Sequence, residues 1–190
     1  MNNILRPVLV IFTGLTLLTG VAYPLVTTGV AHSLFPKQAQ GSLVRQGNTV
    51  VGSSLIGQAF SEPSNFWGRP SATGPMANNA AASGGSNLGP LNPALTDAIK
   101  ARVTALREAD PSNTSAVPVD LVTASASGLD PHISPAAAYY QVNRVATARK
   151  LPAAQVQALV AKHVETPLLG ILGEARVNVL ALNRDLATLK

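Results

Sequence analysis

Hydrophobic and polar positions divide the chain sharply near residue 31. From Pro7 to Ala31 the sequence PVLVIFTGLTLLTGVAYPLVTTGVA contains no charged side chain, and the nearest charges are Arg6 and Lys37. At a rise of ~1.5 Å per residue, ~20 apolar residues span a hydrocarbon layer ~30 Å thick. The few polar positions are Thr and Gly scattered round the helix, without the polar stripe that a water-facing core helix needs. The pattern predicts one transmembrane helix over 7–31, after a short tail at 1–6. Pro24 should kink or fray its last turns, Tyr23 sits as an interfacial aromatic, and the membrane boundary is expected between Thr27 and Phe35. Gly29-Val30-Ala31 resembles a small-residue cleavage site, yet the run far exceeds the ~7–15 residues of a signal h-region, so a retained anchor is expected.

After the anchor the pattern changes to short alternations among Gly, Ser, Asn and Pro. Ser42-Leu43-Val44, Thr49-Val50-Val51 and Ser54-Leu55-Ile56 are read as short strands between turns. The Gly/Ser/Asn-rich stretch 71–93 has the composition of a flexible loop with little to contribute to a core. Asn92-Pro93 then offers an N-cap and a first-turn proline, and Leu95, Ile99, Val103 and Leu106 recur at helical spacing. Val117 to Val122 is read as extended, Ser134-Pro135 as the start of a helix through about Lys150, and Pro152 as the start of another through about Val164. Arg176 to Leu180 alternates like a strand before a closing helix with Leu182, Leu186 and Leu189. The fold class is therefore an α+β soluble domain, residues 37–190, anchored by one N-terminal transmembrane helix.

Composition narrows the function classes. There is no cysteine, which removes disulfides and thiolate metal ligands. The net charge is +5, but only 12% of residues are charged and Arg149-Lys150 is the one adjacent basic pair, so no nucleic-acid partner is expected. Arg6 with the α-amino group on one side nearly balances Lys37 and Arg45 on the other, so charge alone does not fix the topology. The phosphate-loop pattern Gly-x-x-x-x-Gly-Lys-Ser/Thr, the Asp-Lys-Thr-Gly-Thr phosphorylation sequence and the Thr-Val-Gly-Tyr-Gly filter do not occur. Neither ATP hydrolysis nor ion selection is encoded.

Three motifs remain as candidates for partner contact. Phe66-Trp67-Gly68-Arg69-Pro70 combines the single Trp with an Arg, a pairing frequent at protein contacts and equally suited to local packing. Ser83-Gly84-Gly85-Ser86-Asn87 has the makings of an anion-binding backbone nest, but no Lys follows in register, and a solvated turn is the plainer reading. Ser125, Ser127, Gly128, Leu129, Asp130 and His132 gather hydroxyls, a carboxylate and an imidazole; no Gly-x-Ser-x-Gly elbow presents a nucleophile, so no catalytic residue is assigned. Asp130-Pro131 making a turn and Ser134 capping the next helix is the structural alternative. A metal site from Asp130, His132 and the distant His163 lacks ligand spacing, and none is expected.

Taken in order, several stretches resemble the KdpC family of the Kdp-type potassium-transporting ATPases. They are Tyr23-Pro24-Leu25 in the anchor, Gly52 to Gln58, Gly68 to Ala72, Ala82 to Leu88, Leu121 to Ile133, Arg144-Val145-Ala146 and Ala148-Arg149. The resemblance runs nearly end to end. It implies an accessory subunit, held in the bacterial inner membrane by a single pass, with its soluble domain periplasmic or extracellular. The implied partners are a potassium-conducting A subunit, an ATP-hydrolysing P-type B subunit and a small F subunit, besides the lipid bilayer. The family is described as a catalytic chaperone that raises the ATP affinity of the B subunit. A domain outside the cytoplasm meets no ATP, so no cofactor is expected to bind tightly here, and influence through assembly or the potassium entrance is favoured. Without the resemblance, the reading is a membrane-anchored extracytoplasmic binding domain unrelated to transport.

Overall fold

The computed structural model describes residues 4–167 and 169–189. The chain forms two compact units, Met1–Val51 and Gly52–Lys190.

In the first unit an apolar helix runs from Leu5 to Leu34, long and apolar enough to cross a membrane. It consists of α1 (Leu5–Leu17), a π-helical turn (Leu18–Ala22) and α2 (Tyr23–Leu34). None of its residues is buried by protein. Of the kink or fray expected at Pro24, the fraying is not met, because the helix continues to Leu34. A proline ring clashes with the carbonyl four residues earlier and leaves it without a donor; here the preceding turn widens, and the Tyr23 amide donates to Leu18 O. Thr19, Thr27 and Ser33 donate their hydroxyl protons to Leu15 O, Tyr23 O and Gly29 O, so each of these polar side chains is satisfied inside the helix. A single-turn helix α3 (Pro36–Ala39) follows, then a hairpin of β1 (Leu43–Gln46) and β2 (Thr49–Ser53). Gly47 supplies the positive φ its turn requires.

In the second unit the expected strand at 54–56 is a turn, because the Ser53 hydroxyl and carbonyl accept the Leu55 and Ile56 amides in place of a neighbouring strand. Asn92 caps α4 (Pro93–Ala109) by accepting from the Ala94 amide at 2.9 Å. Leu106 is buried, and Ile99 and Val103 pack on the core as their spacing predicts. The segment 117–122 is extended only as far as Pro118: Val119–Leu121 forms a 3-10 turn whose Asp120 carboxylate accepts from the amide and hydroxyl of Ser134. Those side-chain bonds replace ladder bonds.

Ser134 caps α5 (Pro135–Tyr140), and α6 (Val142–Arg149) follows, so the helix expected from 134 to 150 is broken at Gln141. The Gln141 side-chain amide donates to Ala137 O and also to Trp67 O, drawing a helical carbonyl into a tertiary contact. Pro152 precedes α7 (Ala153–His163), which runs directly into β4 (Val164–Glu165). β3 (His132–Ile133) and β4 flank β5 (Arg176–Asn178) in an antiparallel sheet, with His132 opposite Asn178 and Val164 opposite Val177. The strand stops at Asn178, short of the expected Leu180, because that side chain caps α8 (Val179–Leu186) at the Ala181 amide. Phe66, Ile133, Val145, Val156, Val160, Val177, Leu182 and Leu186 form the centre of the core between this sheet and the helices.

Candidate functional site

The three sequence motifs converge on one side of the second unit, although Arg69 and Asp130, which link two of them, are 61 residues apart. Phe66 fixes the first motif in the core, fully buried, with its amide donating to Asn183 Oδ1 at 2.8 Å and its carbonyl accepting from Asn183 Nδ2 at 2.9 Å. Trp67 is held by Gln141, which accepts from its amide at 2.8 Å, and its indole N–H reaches Glu62 O at 3.0 Å. The cation over its ring is Arg144, 4.1 Å from the centroid, and not the neighbouring Arg69. Arg69 turns towards Asp130, with Nη1 3.2 Å from Oδ2. One aromatic-basic motif thus serves two separate contacts.

Arg144 is a hub that no local motif signals. Nearly all of it is buried, and it donates to Pro63 O, Asn65 O and Gln141 Oε1. Burial pushes its pKa down to about 10, against the opposing pull of Asp110. Arg149 adds bonds to Ser64 O and Asn65 Oδ1. Two arginines on α6 therefore fix the backbone of 63–65 and so aim the Trp67-Arg69 segment. The sequence signal was their position in Arg144-Val145-Ala146 and Ala148-Arg149; nothing local distinguished them from exposed helical cations.

The Gly-rich stretch is tied to the third motif by backbone contact. The Gly84 amide and the Ser83 hydroxyl both donate to Ser127 O, at 2.9 and 3.0 Å. Ser71 Oγ donates to Gly128 O at 2.7 Å, and the Ser125 amide to Pro70 O. A Cβ on Gly85 would lie 2.9 Å from Ala126 O, and one on Gly128, at φ +66°, 2.7 Å from Gly84 O. Glycine is needed here for close backbone approach. Ser86 is exposed and Asn87 has a left-handed φ of 52°.

Asp130 receives the His132 amide at 3.0 Å and faces its ring Nδ1 at 3.6 Å. Burial acts to raise its pKa, but the bonds from the His132 side chain and backbone and from Arg69, with the charge of Arg69, hold it below the usual 3.8. Ser127 Oγ accepts the Leu129 amide, Ser125 is buried, and Ser134 is occupied by its cap and Asp120. The hydroxyls of Ser127 and Ser134 are thus engaged away from His132, with the Leu129 amide in one case and with Asp120 and the Ala137 amide in the other. His163 lies elsewhere, 3.0 Å from Asp185, and no cluster that could hold a metal occurs among the described residues. Asp130 and His132 line an open polar recess of about 440 Å³ with Arg69, Asp120, Glu174 and Arg176. Its mixed charges suit a contact surface.

Comparison with known proteins supplies what this geometry leaves open. The family model described as the c chain of K+-transporting ATPase matches residues 5–188. A protein of Polaromonas naphthalenivorans named potassium-transporting ATPase KdpC subunit is 70% identical over 190 residues, covering 100% of this chain and 97% of its own. Relatives of the same name in Variovorax paradoxus and Sorangium cellulosum are 70% and 63% identical, over 96% and 94% of this chain and 95% and 94% of theirs.

Proposed function

The chain belongs to the family of K+-transporting ATPase c chains, and from that premise we propose that it is a non-catalytic accessory subunit of an ATP-driven potassium uptake complex. The family match over residues 5–188 carries this reading. The absence of a phosphate loop and of an aspartyl-phosphate sequence supports a role exerted through partners, one conducting potassium and one hydrolysing ATP, with a third small subunit alongside. The apolar helix Leu5–Leu34 supports anchorage in the inner membrane; the resemblance to the family is what favours placing the remainder of the chain outside the cytoplasm. In that compartment an effect on ATP affinity has to pass through the partners' conformations. Arg69, Asp130 and His132 at the polar recess are the residues best placed for partner contact.

The test is capture of this chain from gently solubilised membranes, followed by identification of what travels with it. A multi-span subunit and an ATP-hydrolysing subunit, with potassium-stimulated ATPase activity in the eluate, are expected; recovery of the chain alone would contradict the proposal. Orientation is tested separately, because the natural chain has no cysteine. Ser127→Cys should react in intact cells with a membrane-impermeant maleimide, and labelling only after lysis would place the domain in the cytoplasm.

A further inference from the structure

A second recess, about 350 Å³, opens beside the first motif and has a different character. Leu106 and Leu121 belong to the core, Phe60 and Trp67 form an aromatic wall, and two arginines, Arg69 and Arg102, are among the lining residues. The volume falls in the ~300–1,000 Å³ range of small-molecule sites, which are apolar with a few placed polar groups.

The charge balance at this recess is incomplete. Arg69 is matched by Asp130, although its buried Nε has no hydrogen-bond partner. Arg102 donates from Nη1 to Val122 O at 2.8 Å, and among the described residues no carboxylate pairs with it. Burial alone lowers its pKa. A cation partly removed from water without a counter-ion carries a desolvation cost that an anion would relieve. One unmatched positive charge beside an aromatic and aliphatic wall defines a singly charged ligand with an apolar body, not a polyphosphate.

We propose that this recess binds a small monocarboxylate bearing an aryl or alkyl group, its carboxylate on Arg102 and its apolar body against Phe60, Trp67 and Leu106. The planar guanidinium fork suits a carboxylate, and its stem continues the apolar wall. Trp67 is the single tryptophan of the chain, so its emission reports the site directly.

The full chain in lipid nanodiscs is titrated with 4-phenylbutyrate and, separately, with the neutral 4-phenylbutanamide, while Trp67 is excited selectively. The acid should produce a saturable change with a Kd about tenfold or more below that of the amide, the least expected of one charge-assisted hydrogen bond. Arg102→Gln should bring acid and amide to the same weak affinity, and Ala105→Leu, which narrows the recess without removing the charge, should weaken both. Circular dichroism establishes that each variant is folded. No saturable change with the acid at millimolar concentrations, equal affinity for acid and amide in the natural chain, or a preference that survives Arg102→Gln would each overturn the assignment.

Discussion

Replacing Arg144 by Ala should cost more stability than any other single surface-to-core change at the candidate site. The guanidinium makes bonds to Pro63 O, Asn65 O and Gln141 Oε1 and covers the Trp67 ring. Hydrogen bonds to a charged group contribute about 1.5–3 kcal/mol each, and a partly desolvated cation–π contact about 0.5–2. A plain sum overshoots, because deletion also returns the desolvation cost of a guanidinium whose pKa has been pushed to about 10. What remains is the cost of the acceptor oxygens of Pro63, Asn65 and Gln141 losing this donor, about 1–3 kcal/mol each, so about 3–5 kcal/mol in all is expected. It is a large part of the ~5–15 kcal/mol that holds a domain folded. Arg144→Lys keeps a cation near Trp67 but cannot reach three acceptors in one plane, so about 2 kcal/mol is expected. Urea denaturation should be followed by far-ultraviolet circular dichroism, because Trp67 emission changes on its own when the guanidinium goes. A loss under about 1 kcal/mol for Arg144→Ala, or a Lys variant as stable as the natural chain, would refute the hub role.

Leu17→Arg places a charge inside the apolar helix, at a cost of about 2.5–3.5 kcal/mol on the insertion scale, and carbonate extraction should release much of it from membranes; unchanged association would refute a spanning helix. Asp130 has a folded pKa below 3.8, so its contribution to stability is present above that pH and is lost as pH falls through the folded value. Asp130→Asn should therefore lower stability at neutral pH and converge on the natural chain as the solution is acidified through that folded value; a gap that stays constant across the acid limb would contradict the pairing with Arg69 and His132. Ser127→Ala removes one bond to the Leu129 amide and should lower potassium-stimulated turnover of the assembled complex only slightly. Complete loss in a fully assembled complex would restore the catalytic reading of Ser127, Asp130 and His132.

What was legible in the sequence was mostly local. Asn92, Ser134 and the Pro at 93, 135 and 152 act within a turn of themselves, and the helices start where those residues predict. The apolar run announced its helix in the same way, although its ends and the π turn at Leu18–Ala22 depended on how Pro24 was accommodated. The break at Gln141 was invisible because its cause, Trp67, lies 74 residues earlier. Val117 to Val122 looked extended from its β-branched residues, whereas Asp120 is drawn to Ser134, 14 residues on. The candidate motifs were recognisable as segments, but the pairing of Arg69 with Asp130 and of Trp67 with Arg144 is tertiary, and no spacing rule exposes it. Gly85, which read as part of a flexible loop or an anion nest, proves to be a point of close backbone contact with Ala126.

On the proposed reading, any effect of this chain on ATP turnover passes through its partners. Coupling between a protein interface and a distant nucleotide site is typically about 1–3 kcal/mol, a change of ~5–150-fold in affinity, and linkage requires nucleotide to tighten association by the same factor. The most direct measurement is calorimetric titration of ATP into the purified chain, paired with its affinity for the remaining complex with and without nucleotide. No tight ATP binding by the chain alone is expected, and nucleotide should strengthen association by whatever factor this chain changes the ATP affinity of the complex. Micromolar ATP binding by the isolated chain, or association indifferent to nucleotide despite a changed ATP affinity, would contradict that reading.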